Sequence, residues 1–177
     1  MNKILFTAAI TIMCLFLSCK DTTSTSSTNT DQNAKNLESN LKVLKAIETG
    51  DSATINMYVT SDAVDHSGPN GMEIKGPDAV RHMLVDMHNH MKDLKLEKIA
   101  DAANGDYIFS LSRFSGTCTD GTMGMPAGTK MDEKGVDVIK VKEGKMVEHW
   151  SFTDPAAMMK HMQEMGGDHA MKDSMAH

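Results

Sequence analysis

The stretch "GVDVIKVKEGKMVEHWSFTD", residues 135–154, decides the fold. On either side of "EGK" apolar and polar residues alternate, which is the pattern of two half-buried β-strands joined by a tight turn. Two similar segments precede it, "KLEKIADAA" at 95–103 and "DYIFSLSRFSGTC" at 106–118, and "NGD" and a glycine-rich loop separate the segments. Strands joined by short turns pair antiparallel. This part of the chain therefore predicts four antiparallel strands in sequence.

The segment before these strands has helical periodicity. Apolar residues spaced three and four apart predict a first helix that Gly50 ends, at Leu37, Leu41, Leu44 and Ile47. A second, short helix is predicted over 52–59, and a third starts near Pro77, with an apolar stripe at Val80, Met83, Leu84, Met87 and Met91. Three helices followed by antiparallel strands indicate the α+β class, with the helices on one face of a curved sheet.

The N-terminal residues predict export and anchoring. Lys3 precedes a short apolar run at 4–17, and Ser18 and Cys19 follow, which resembles the signal of bacterial lipoproteins. By that resemblance, residues 1–18 are a signal peptide and Cys19 carries acyl chains that hold the protein on a membrane of the cell envelope. Residues 19–35 hold no large apolar side chain after Cys19, which predicts a disordered tether.

Charge and cysteine usage exclude several classes of protein. The formal net charge is −6 and the sequence has no cluster of lysine or arginine. No positively charged surface is therefore expected that would attract the phosphates of a nucleic acid. Of three cysteines, Cys14 is removed with the signal and Cys19 is lipidated, which leaves Cys118 alone and predicts no intramolecular disulfide. Cys118 is interpreted as a small buried residue rather than a nucleophile.

Several motifs, taken in order, resemble a known family. These are "DAVDH" at 62–66, "GPDAVRHM" at 76–83, "RFSGTCTDGTMGMPAGTK" at 113–130 and "EGKMVEHWSFTD" at 143–154. Together they are similar to the SnoaL-like branch of the nuclear transport factor 2-like superfamily, which contains polyketide and ester cyclases. The resemblance implies a cone-shaped α+β barrel over residues 36–165, a pocket between sheet and helices for a small-molecule ligand, no cofactor, and a homodimer formed through the sheet.

The same resemblance implies candidate site residues. In the cyclases, a polar residue at the end of the first strand, a histidine on the penultimate strand and an aspartate on the last strand meet at the substrate. These positions correspond to His66, Asp137 and Ser151 here. A serine cannot replace the aspartate as general base without a stronger base beside it. Binding of a small apolar or carbonyl-containing ligand is therefore favoured over cyclase chemistry.

Two interpretations of these polar residues stay open. In the first, His66 is a base oriented by Asp137, and His149, which shares the strand face of Ser151, completes a cyclase-like or isomerase-like acid–base site. In the second, His66 ends a strand, Asp137 pairs with Arg113 or Lys140, and His149 is solvated. The predicted ligand-binding set is His66, Arg113, Asp137, His149 and Ser151. Glu148, Trp150 and Phe152 alternate to the other face, as sheet-surface or dimer-interface residues.

The C-terminal residues are rich in methionine and histidine. Residues 158–177 contain six methionines and three histidines, and residues 166–177 are predicted to be a flexible tail. Met158, Met162 and Met165 have helical spacing, which favours an apolar helix face that packs on the barrel. Thioethers and imidazoles also suit Cu(I) or silver, and the candidate ligands are Met158, Met162, Met165, His161, His169, Met171, Met175 and His177.

Overall fold

The computed structural model describes residues 24–68, 71–122, 125–156 and 159. Within these residues, three helices and five strands follow one another as α1 (Ser24–Thr49), α2 (Ser52–Tyr58), β1 (Val59–Asp65), α3 (Ala79–Asn89), β2 (Met91–Asn104), β3 (Tyr107–Cys118), β4 (Lys130–Lys142) and β5 (Lys145–Thr153). The predicted α+β class is confirmed. Within the described residues, no helix has the length and apolar character needed to cross a membrane.

Helix α1 differs from the prediction at its start and on its buried face. It begins at Ser24, so residues 24–35, predicted to be a disordered tether, are helical. Gly50, at a φ of +69°, ends α1 as predicted. The buried positions are Asn36, Asn40, Val43, Ala46 and Ile47, whereas Leu41 is 48% exposed. The face that meets the sheet therefore carries two asparagines where an apolar stripe was expected.

The sheet has the strand order β1-β5-β4-β3-β2. Strands β2 to β5 pair antiparallel with their neighbours in the chain, as the alternating pattern predicted. Strand β1 instead pairs parallel with β5, and Asp65 lies opposite His149. Strands β1 and β2 are the two edges, so the curved sheet stays open rather than closing into a full barrel.

The hydrophobic core lies between the helices and the inner face of the sheet. Its members come from every layer, and include Ile47, Ile55, Val59, Val80, Leu84, Ile108 and Ile139. On β3 and β4 the core residues Ile108 and Ile139 are directly paired, so the residues two positions away on each strand also face the helices. Towards one end of this face the apolar residues give way to serine, aspartate and histidine, and a cavity opens there.

Candidate ligand-binding site

A cavity of about 300 Å³ lies between the inner face of the sheet and helices α1 and α3. Much of its wall is formed by apolar side chains, supplied by Leu44, Ile47, Met83, Leu84, Met87, Leu96 and Phe114. Nine polar residues also line it. Five of them lie together on neighbouring strands, namely Asp65, Ser112, Asp137, His149 and Ser151, and the others are Ser67, Glu133, Lys134 and Thr153. An apolar cavity with a few convergent polar groups is the usual form of a small-molecule site.

Strand register places these polar residues side by side. On β4 and β5, Asp137 pairs with Ser151 and Ile139 with His149. On the far side of β5, His149 pairs with Asp65 at the end of β1. Because side chains two positions apart on a strand share a face, His149 and Ser151 both point inward beside Asp137.

His149 lies between two aspartates. Its Nδ1 is 2.7 Å from Oδ2 of Asp65, and its Nε2 is 3.4 Å from Oδ1 of Asp137. The His149 side chain is 19% exposed and that of Asp65 only 4%. Burial disfavours the charged ring, but the hydrogen bonds and charges of Asp137 and Asp65 outweigh it and raise the pKa of His149 to about 9. At neutral pH the ring is an imidazolium that donates from both nitrogens.

Asp137 is the carboxylate that faces the cavity beside this ring. Burial alone would raise its pKa, but the hydrogen bond and charge of His149 and the hydroxyls of Ser151 and Ser112 lower it below the ordinary value of 3.8. The Ser112 hydroxyl donates to Oδ2 of Asp137 at 3.0 Å. At neutral pH the site therefore holds a carboxylate that accepts hydrogen bonds and an imidazolium that donates them.

The family model for SnoaL-like polyketide cyclases matches residues 39–162, which is more than two thirds of the chain. The chain belongs to the SnoaL-like polyketide cyclase family. No curated protein matches it by sequence.

Solved structures of SnoaL-like proteins have the same fold. A candidate SnoaL-like polyketide cyclase from Jannaschia sp. CCS1 is 18% identical, with a TM-score of 0.62 over 72% of this chain and 90% of its own. A SnoaL-like polyketide cyclase from Agrobacterium tumefaciens C58 is 17% identical, with a TM-score of 0.58 over 72% and 97%. An LEH-like epoxide hydrolase from M. tuberculosis is 14% identical, with a TM-score of 0.59 over 73% and 90%. At these identities the likeness shows the fold alone.

His66 does not occupy the pocket position that the SnoaL-like resemblance implied. It is absent from the residues that line the cavity, and its ring stacks on Trp150 with centroids 4.5 Å apart. Its two nitrogens lie 3.0 Å from Glu73 and 3.1 Å from Glu148. Neighbouring residues of a strand point to opposite faces, so Asp65 points inward and His66 outward. Asp65, one residue earlier, lines the cavity instead.

Arg113 also lies away from the cavity. Its Nε and Nη2 each lie 2.6 Å from a carboxylate oxygen of Asp132, and both side chains are exposed. Lys140 pairs with Glu148 at 2.7 Å. The expectation that Asp137 pairs with Arg113 or Lys140 is therefore wrong, because both cations lie on the other face of the sheet.

The remaining predicted residues of the SnoaL-like domain fall into two groups. Asp137, His149 and Ser151 come together in the cavity. Sequence reasoning missed the other polar residues that line it, which are Asp65, Ser112, Ser67, Glu133, Lys134 and Thr153. Ala63 and Asp65 are both buried, because residues two positions apart on β1 share a face. Trp150 and the exposed Phe152 point away from the cavity as predicted, and the homodimer stays a prediction.

Cys118 is buried at the end of β3, and burial raises the pKa of its thiol, so it fits the predicted structural role. Among the described residues, no group of three or more histidine, cysteine, aspartate or glutamate side chains could hold a metal ion. The proposed Cu(I) ligands at 158, 161, 162, 165, 169, 171, 175 and 177 lie outside the described residues. Copper binding therefore stays a prediction from the sequence.

Proposed function

We propose that this SnoaL-like protein binds a small, largely apolar molecule whose carbonyl or hydroxyl group contacts Asp137 and His149. The observation that carries the proposal is the 300 Å³ cavity with apolar walls and one polar cluster. Asp137 can accept a hydrogen bond from a ligand hydroxyl. Both N–H groups of His149 and the Ser112 hydroxyl already donate to aspartates, so a ligand carbonyl would accept from His149 Nε2 by replacing Asp137 at the long 3.4 Å contact. The apolar side chains of the cavity walls would contact the apolar remainder of the ligand.

Proton transfer is the second candidate function, and the Asp137–His149 contact favours it. Asp137 would take a proton from a carbon next to a carbonyl, and a donor beside it would stabilise the enolate oxygen. The hydrogen bonds that lower the pKa of Asp137 also make it a weaker base. His149, protonated at neutral pH, would act as an acid rather than as the base. Binding is therefore the function that the site supports better.

The Asp137→Asn variant tests ligand binding with methyl 3-hydroxydecanoate as the probe, because its hydroxyl can donate to Asp137. We expect calorimetry to show that wild type binds it and that Asp137→Asn weakens binding by about 1–3 kcal/mol, the cost of leaving buried polar partners mismatched. The control, Glu148→Gln, makes the same change on the outer face and should leave affinity unchanged. His66→Ala should also leave it unchanged. Equal affinities of wild type and Asp137→Asn would contradict the proposed site.

Exchange of the α-protons of the corresponding β-keto ester, methyl 3-oxodecanoate, in D₂O distinguishes binding from catalysis. We expect wild type to exchange them no faster than buffer does, because Asp137 is a weak base. Exchange that wild type accelerates and Asp137→Asn abolishes would establish proton transfer instead. Ser151→Asp would place a second carboxylate beside Asp137, where like charge raises a carboxyl pKa, and should increase the exchange rate.

We also propose that the protein is anchored on a membrane of the cell envelope through acyl chains on Cys19. The support is the sequence alone, in which a short apolar run leads directly to Ser18 and Cys19. Changing Cys19 to serine removes the lipid attachment point, so we expect the variant to move from the membrane pellet to the soluble fraction on cell fractionation. A Cys118→Ser variant should stay in the pellet. Retention of Cys19→Ser with the membranes would refute anchoring.

A further inference from the structure

A second, smaller cavity adjoins the ligand cavity. It has a volume of about 50 Å³ and shares five lining residues with the larger one, namely Leu44, Ile47, Leu84, Asp137 and His149. The remaining walls come from helix α1 and from strands β4 and β5, through Asn40, Val43, Ile139 and Met146. Asp137 and His149 therefore stand at the junction of the two cavities, and the smaller one is the inner end of the same site.

Asn40 is the polar residue that the smaller cavity does not share with the larger one. The residue is 8% exposed, and its buried Nδ2 has no hydrogen-bond partner among the described residues. The buried asparagine one turn earlier is different, because Asn36 donates to the carbonyl of Gly105 at 3.1 Å and accepts from Gln32 at 2.8 Å. Buried polar groups are almost always paired, since an unpaired donor is costly. Asn40 thus has an unpaired hydrogen-bond donor in the wall of a cavity that is otherwise apolar beyond Asp137 and His149. Neighbouring atoms cover Nδ2 as the side chain stands, so a rotation of the amide group would bring the donor to the cavity.

We propose that Asn40 determines ligand specificity by donating a hydrogen bond to an oxygen at the inner end of the ligand. The inference rests on the proposed function and specifies its ligand class: an elongated, mainly apolar molecule with two oxygen functions. One oxygen function contacts Asp137 and His149 at the junction of the two cavities. The second, an ether or carbonyl oxygen, lies deeper in the smaller cavity and accepts a hydrogen bond from Asn40. The inner volume is large enough for a few heavy atoms, since a single water needs only about 10–15 Å³.

An oxygen scan tests the proposal. Methyl 3-hydroxydecanoate is compared with analogues in which one chain methylene, from carbon 5 to carbon 9, is replaced by an ether oxygen. The shape is nearly constant, so only the position of the acceptor changes. We expect wild type to bind one or two neighbouring analogues about 3- to 10-fold tighter than the parent, the value of one added hydrogen bond. Uniformly weaker binding of every ether analogue would overturn the proposal.

Variants at position 40 test whether Asn40 causes the preference for particular ether analogues. Asn40→Leu removes the donor and should abolish the preference while the parent ester still binds. Asn40→Ala, which also lacks the donor, should give the same result if the leucine variant does not fold. Ser39→Ala is the control, since Ser39 does not line the inner cavity and its variant should keep the preference. A preference that survives Asn40→Leu would also refute the role of Asn40. If wild type bound neither parent nor analogues, the proposed function itself would fail, and the inference with it.

Discussion

Replacing His149 with leucine is expected to lower the free energy of unfolding by about 3–5 kcal/mol, the usual effect of removing one partner from a buried ion pair. The loss is large because Asp65, only 4% exposed, and Asp137 would share an apolar site without a cation between them. Urea denaturation at pH 7, followed by circular dichroism, measures the difference. The ligand cavity is empty in both proteins during this measurement, so the effect reports folding alone.

His66→Leu is the matched control for this experiment. His66 also lies between two carboxylates, Glu73 and Glu148, but the three side chains are 23%, 43% and 30% exposed. Solvent screens such pairs, so the same substitution should cost no more than about 1 kcal/mol. Equal losses in the two variants would show that His149 is not held by a buried charge cluster.

Stability is expected to fall as the pH rises from 6.5 to above 9. The pKa of His149 is about 9 in the folded protein and near its ordinary value of 6.5 in the unfolded chain. The folded state therefore holds the proton more tightly, and this stabilisation is complete below pH 6.5 and lost as the pH passes 9. A shift of this size corresponds to about 3 kcal/mol.

Urea denaturation at pH 6, 7.5, 9 and 10 checks this dependence. His149→Gln should have a much flatter profile over the same range, because glutamine does not titrate. Burial also raises the pKa of Cys118, which lowers stability at alkaline pH, so both proteins are measured in a Cys118→Ala background. Parallel profiles for the two proteins would contradict the role of His149. At the acid end, the lowered pKa of Asp137 has the opposite sign, and its stabilisation is lost below pH 4.

Local patterns in the sequence determined much of the fold. Alternation along 135–154 predicted β4, β5 and their antiparallel pairing, and it placed His149 and Ser151 on one face and Trp150 on the other. Gly50 ended α1 because a backbone turn with positive φ follows the helix. Both features depend on residues close together in the chain, so sequence reasoning could find them.

Only the tertiary structure decided which face of β1 is the inner one. Alternation shows that Asp65 and His66 point in opposite directions, but it does not show which of them points inward. The parallel pairing of β1 with β5, between segments more than eighty residues apart, places Asp65 opposite His149 and leaves His66 beside Glu148. The polar cluster of Asp65, His149 and Asp137 therefore exists only through this long-range register.

The role of Asn40 depended on tertiary structure for a similar reason. The helical spacing of leucines suggested an apolar face on α1, yet α1 turns Leu41 to solvent and Asn40 inward. Periodicity identifies a helix, whereas its rotation about its axis is set by all the side chains that pack against it. The sequence by itself thus determined the helices and strands, and which side chains of each element share a face. Packing between distant segments decided which of those side chains meet in the cavity, because contact energy depends on neighbours that local pattern does not specify.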